Sequence, residues 1–162
     1  FCKRVQLTLE KIRKKYSNEV QFGYRHFPLP FHKEAQGLAE AVECARDQDK
    51  FWELQSLFYK NISNSANDKE VLGMAKRAGI DNIRDFEFCW RNGKYAERVK
   101  NDIRDGIDLG IQGTPTFILG IYDQETQTVS GEMFSGAVSE EKFVQVIEKY
   151  LSSIRTEANL SR

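Results

Sequence analysis

Gly110-Ile111-Gln112-Gly113-Thr114-Pro115-Thr116-Phe117-Ile118-Leu119 joins two kinds of sequence. A periodic helical segment runs into it, and a β-rich apolar run from Thr116 to Tyr122 runs out of it. Proline removes a ladder donor and fixes φ, so within a sheet it belongs at a strand's first residue or on an edge. Pro115 stands where such a strand would begin. An ordinary trans proline in a helix-to-strand turn suits that position, and trans is the common form. A second feature makes the turn worth pursuing: Cys2, at the other end of the chain, opens an amphipathic helix.

Working outward, Cys2 to Ser17 reads as that helix, with Val5, Leu9, Ile12 and Tyr16 on one face and lysines and arginines opposite. Lys11, Arg13, Lys14 and Lys15 gather in its second half, where cations suit the negative end of the dipole, and they read as a solvated face. Val20 to Phe27 alternates as a strand and ends at Pro28 and Pro30. From His32 to Gly110 the pattern is helical throughout. Ala35, Leu38, Ala39, Val42 and Ala45 form one stripe, and Gly37, Ala41 and Cys44 a second, which implies an interior helix. Phe51, Trp52, Leu54, Leu57 and Phe58 are core material. Ser63 to Asn67 is a loop; Asn67 with Glu70 caps the next helix, which stops at Gly79. Ile83, Phe86, Cys89 and Trp90 share a face, and Val99, Ile103, Gly106 and Gly110 line one side of the last helix of the block. Beyond Pro115 come a strand (Thr116 to Tyr122), a turn and a partner strand (Gln127 to Ser130). A final helix follows, capped by Ser139 with Val138 and Phe143 as its staple. Residues 156–162 carry no pattern and are expected to fray.

Composition bounds the function. The 162 residues are 40% hydrophobic and 12% aromatic, enough for a sizeable core in one domain with an inserted subdomain. Lys+Arg and Asp+Glu both number 24, a balance that argues against nucleic acid or an anionic membrane as partner. No apolar run approaches membrane-spanning length. Phe1-Cys2-Lys3-Arg4 looks like the interior of a domain, so further sequence is expected upstream. Three cysteines leave one thiol unpaired if the other two bond.

The order helix, strand, helical block, strand, strand, helix, together with several local motifs, resembles the DsbA family of thiol-disulfide oxidoreductases. The motifs are Phe1-Cys2-Lys3, Phe27-Pro28-Leu29-Pro30-Phe31-His32, Glu43-Cys44-Ala45 and Gln48-Asp49-Lys50-Phe51-Trp52-Glu53. Phe88-Cys89-Trp90, Gly93-Lys94-Tyr95, Val99, Asp102, Gly106 and Gly113-Thr114-Pro115-Thr116-Phe117 complete the set. The resemblance implies an α/β thioredoxin-like fold with a helical insertion. Residues 1–30 and 111–155 would form the discontinuous thioredoxin-like domain and 31–110 the insertion. The first, central strand would be missing from this chain. Cys2 would be the second, resolving cysteine of a C-x-x-C site whose first cysteine lies three residues earlier. Thr114-Pro115 would be a cis-proline pair that binds extended substrate peptides, with Cys2 beside it.

Thiol-disulfide exchange needs an exposed thiolate and a second thiol nearby. A helix N-terminus favours the thiolate, and Lys3 and Arg4 add positive charge. Read alone, Cys2 is equally a structural thiol; the resemblance shifts it towards redox use. Cys44 and Cys89 read alone as small apolar core residues. The extracytoplasmic setting that the resemblance implies would let them form a disulfide, and both readings stay open at this point. His26 and His32 have no partners at metal-ligand spacing and receive no role. Asp102/Asp105 and Glu140/Glu141 read as solvated or capping charges. No cofactor or metal is expected. The implied partners are cysteine-containing substrate proteins and a membrane redox partner, in the periplasm or cell envelope. The alternative is a redox-inactive peptide-binding module on the same fold.

Overall fold

Seven helices and two strands follow one another along the chain: α1 (Cys2–Lys15), α2 (Ala35–Arg46), α3 (Phe51–Asn61), α4 (Asp68–Arg77), α5 (Ile83–Arg91), α6 (Ala96–Asp108), β1 (Thr116–Asp123), β2 (Thr128–Ser135) and α7 (Glu140–Leu160). The computed structural model describes residues 1–61 and 66–160, and counts refer to these; Ser63 to Ser65 of the expected loop lie outside them. Two compact units divide the chain, Phe1–Gly23 with Gly113–Arg162, and Tyr24–Gln112.

The first unit is built on the β1–β2 hairpin, antiparallel with Thr116 opposite Ser135 and Asp123 opposite Thr128. Alternation sends Phe117, Leu119 and Phe134 to one face, where they meet Val5 and Ile12 of α1, Tyr16 just past its end, and Phe143 and Ile147 of α7. Phe117 and Phe134 stand directly across the ladder, and the Phe143 ring lies 4.9 Å from Phe117 and 5.6 Å from Phe134. The other face carries Ile118, Tyr122, Val129 and Met133, all exposed. Midway, Gly120 faces Gly131, and a methyl on either would strike the partner's backbone. At the turn, Asp123 Oδ1 accepts from the Glu125 and Thr126 N–H groups, both at 2.9 Å.

Three sequence expectations need correction here. The strand expected at Val20–Phe27 is absent: residues 20–29 join no ladder, and the sheet contains β1 and β2 alone. A strand exists only through a neighbouring strand's hydrogen bonds, and among the described residues no strand pairs with this segment. Its alternation survives as alternating burial, with residues 20, 22, 24 and 26 covered and 21, 23 and 25 exposed. β2 runs on to Ser135, because its register with β1 continues past Gly131. The tail expected to fray from residue 156 is helical as far as Leu160, propagated from the well-packed part of α7.

The second unit is a helical cluster centred on α2, which packs against α3, α4, α5 and α6. Its two small-residue stripes bury Ala39, Ala41, Val42, Cys44 and Ala45, as expected of an interior helix. Val71, Phe51, Leu54, Phe58 and Phe86 fill the core around it. Asn67 and Glu70 form the reciprocal capping box of α4, and Gly79, at φ +82°, ends it. Gly106 is buried, and the Phe27 ring occupies the space a side chain there would need. Gly110 differs: at φ +73° it turns the chain out of α6 and packs against nothing. The unit begins at Tyr24, seven residues before the boundary expected at 31, because the Tyr24 ring joins the helical core. It lies 5.6 Å from Phe51, with its hydroxyl 2.8 Å from that of Tyr59.

Candidate functional site

Cys2 is the free cysteine of the chain, half-buried at the first residue of α1. Phe1 is the N-cap residue, and its carbonyl accepts from the N–H groups of Arg4 and Val5 at 3.0 and 3.3 Å. No acidic side chain lies in that first turn, and the Arg4 guanidinium sits 4.6 Å from the Phe1 ring centre. The helix is held in place by Val5, Ile12 and Tyr16. The Tyr16 hydroxyl donates to Glu148 Oε1 at 2.8 Å; burial and that hydrogen bond together push the phenol up.

The Thr114–Pro115 peptide bond is cis and leads directly into β1, within the same unit as Cys2. Its surroundings are fixed by three hydrogen bonds. Gly136 N–H donates to the Pro115 carbonyl at 2.8 Å. The Thr116 hydroxyl donates to the Gly113 carbonyl at 2.7 Å and lies 2.8 Å from the Ser135 hydroxyl. Thr114 itself makes no hydrogen bond to any described residue. Its N–H and C=O, and the edge of β1 away from β2, are therefore open to an extended chain.

In the second unit, Cys44 of α2 and Cys89 of α5 are joined in a disulfide with a Cα–Cα distance of 5.9 Å. The bond lies at the wall of a cavity of about 810 Å³ that is also lined by Asp47, Asn82, Phe88 and Lys94. The same unit holds an ionic cluster that sequence reasoning missed. Glu43, fully buried, accepts from Arg46 Nε at 2.8 Å and Arg46 Nη2 at 3.0 Å. Arg98 Nε lies 3.0 Å from it, and His26 Nε2 lies 2.9 Å away. Burial alone would raise the Glu43 carboxyl; the His26 and Arg46 hydrogen bonds and the Arg46 and Arg98 charges outweigh it and lower it to about 2. Asp102 is no solvated charge: buried, it accepts from Arg25 at 2.7 Å and from the His26 N–H at 2.9 Å. The one available signal was positional, since Glu43 stands between Val42 and Cys44, each on a buried stripe of the same helix. Arg25, Arg46, Arg98 and His26 take up the carboxylates of Glu43 and Asp102, so the cluster serves structure. His32 lies in an exposed turn, its ring 4.5 Å from Phe31. Among the described residues no group of His, Cys, Asp and Glu is arranged to hold a metal ion.

A family model described as Thioredoxin matches residues 1–149. The chain belongs to the thioredoxin family. Its mixed α/β architecture is a thioredoxin-like fold, and membership carries a thiol-disulfide oxidoreductase kind of function. The curated relatives carry a different name. The chain is 32% identical over 121 residues to "Na(+)/H(+) antiporter NhaA 1" of Salinispora arenicola, covering 74% of this chain and 18% of that protein. It is 30% identical over 125 residues to the protein of the same name from Mycolicibacterium vanbaalenii, covering 75% and 20%. With "Na(+)/H(+) antiporter NhaA" of Herminiimonas arsenicoxydans it shares 25% over 134 residues, 79% and 21% of the two chains. The chain thus spans about a fifth of the length of the curated relatives it matches. No helix among the described residues is long and apolar enough to cross a membrane.

Proposed function

We propose that this chain is the redox domain of a DsbA-like protein-disulfide oxidoreductase that acts on secreted proteins. What carries the proposal is the pairing, within one unit, of a free thiol at a helix N-terminus with a cis X-Pro turn whose preceding residue has an unpaired backbone. Cys2 acts as the resolving thiol of a C-x-x-C pair whose first member precedes Phe1. In the oxidising direction a substrate thiolate attacks the first cysteine's sulfur, and Cys2 leaves as thiolate. A second substrate thiolate then attacks the mixed disulfide, so the substrate gains a disulfide and the pair is left as two thiols. Thr114 lends its N–H and C=O to the substrate backbone during these steps. The Cys44–Cys89 bond supports an extracytoplasmic setting, where disulfides persist.

The test uses the protein with its upstream residues and a reduced, unfolded substrate. Cys2→Ser removes the active-site disulfide that oxidises the substrate and should stop turnover; given instead a substrate that already carries a disulfide, its remaining thiolate should attack that bond, release one substrate thiolate and leave a mixed disulfide that survives on a non-reducing gel. Turnover at the unsubstituted rate would overturn the assignment. A second reading, a redox-inactive peptide-binding module, draws on the open Thr114 backbone and β1 edge alone. It requires cysteine-free peptides to bind as well as cysteine-containing ones, with Cys2→Ser neutral.

A further inference from the structure

The outer edge of β2 is bare. The sheet ends there, and Thr128 to Gly131, Met133 and Ser135 are exposed. The bond from the Gly136 N–H to the Pro115 carbonyl sets the phase of the ladder. Residues 130, 132 and 134 turn their backbone groups to β1, and residues 129, 131 and 133 turn theirs outward. Among the described residues no backbone group meets those outward N–H and C=O groups.

Free edges are ordinarily guarded by lysine, proline, a bulge or shortness. β2 is eight residues long, runs in unbroken register with β1, and carries no lysine, arginine or proline. Its one charge, Glu132, lies opposite Leu119 on the inner face, where Lys149 pairs with it. We propose that this edge pairs with the same edge of a second copy of the chain, antiparallel, about a two-fold axis at Gly131. Side-chain matching selects that register. Val129, 46% exposed, then stands opposite Met133 of the second copy, 53% exposed, and both lie on the outer face. Glu132 stands opposite Ser130, whereas an axis at Glu132 would set two carboxylates face to face. Gly131, with no side chain, meets its own counterpart at the axis. Outward-turned residues face outward-turned residues throughout, which gives about six backbone hydrogen bonds. An interface this small makes a weak dimer, whose population depends on concentration. Nothing in the pairing depends on redox activity.

The experiment is sedimentation equilibrium of the full chain, in a Cys2→Ser background so that no dimer forms through that thiol. The mass should rise from monomer to dimer as concentration is raised. Val129→Lys with Met133→Lys sets lysine opposite lysine and should abolish the dimer; Val129→Glu with Met133→Glu should do the same. Mixing the two variants should restore a dimer containing one of each, because every lysine then faces a glutamate. Circular dichroism of the separate variants checks that their secondary structure persists. A chain that stays monomeric up to ~1 mM, a dimer that survives the lysine pair, or a mixture that stays monomeric overturns the proposal. A monomer whose Val129 and Met133 amide resonances shift with an extended substrate peptide also overturns it, and assigns the edge to a foreign strand.

Discussion

The two units solve the problem of stability in opposite ways. Tyr24–Gln112 closes on itself: α2 is covered by four other helices, a disulfide ties α2 to α5, and the buried Glu43 and Asp102 are fully paired. The unit containing α1, the hairpin and α7 packs one face of a two-stranded sheet and leaves Ile118, Tyr122, Val129 and Met133 exposed on the other. It also holds the free thiol and the unpaired Thr114 backbone. The closed unit spends its polar groups on itself, and the open one keeps them for something else. The disulfide and the free thiol lie on different stretches of chain, which is why perturbing one should leave the other's signature visible.

The largest test of that contrast is the disulfide. Cys44 and Cys89 are 45 residues apart, and closing a loop of that size restricts the unfolded chain enough to contribute about 4 kcal/mol. Replacing both by alanine should lower the stability of the helical unit by that order in urea melts. Hydrogen exchange in β1 and β2 should stay unchanged. Equal loss of protection in hairpin and helices would mean that the two units melt as one, and the contrast would fall.

Glu43 gives the next effect, and its direction follows from its proton affinity. The carboxyl is lowered from 4.5 to about 2 in the folded chain. A depressed value means that the folded state favours the ionised form. The stabilisation is present above the unfolded value near 4.5 and is lost as pH falls towards 2. The whole effect is about 3 kcal/mol. Acid titration followed by helical circular dichroism should show it, and Glu43→Gln should flatten that part of the curve. The variant should also be less stable at neutral pH, since Arg46 and Arg98 lose their countercharge. An unchanged acid limb would place Glu43 outside the core.

Much of this contrast was legible beforehand, and the exceptions share a cause. Helix α1 falls within about two residues of its expected bounds, because an apolar stripe of period 3.6 is a local property. Asn67 with Glu70 and the stop at Gly79 were readable for the same reason. The disulfide and the cis bond at Pro115 came from resemblance, since neither residue pattern reveals it alone. What local pattern could not give was pairing at a distance. Val20 to Phe27 has a strand's alternation without a neighbour to bond with. Asp102 looked like a surface charge until Arg25 and the His26 N–H, more than seventy residues earlier, closed over it. The basic face of α1 was readable from its pattern although the net charge is zero, because summation erases position and periodicity keeps it.

The smallest expected effect lies inside the open unit, between the two faces of one hairpin. Register sets Ile118 opposite Met133 on the outer face and Phe117 opposite Phe134 on the inner. Successive residues of a strand point to opposite sides, so Phe117 and Ile118 differ in environment although they are neighbours in sequence. Ile118 is 42% exposed and Met133 53% exposed, and neither touches the cluster around Phe143. Changing both to threonine removes little buried area and keeps one β-branched residue in place while adding another. Stability should therefore shift by no more than ~0.5 kcal/mol. Phe117→Ala is the matched control: it empties a ring that contacts Phe134 and Phe143, and should cost ~2–3 kcal/mol. Urea midpoints of the three proteins, read at the near-ultraviolet aromatic signal, decide it. If the threonine pair costs as much as the alanine, the outer face is covered by packing that the exposures do not reveal, and the hairpin is as closed as the helical unit.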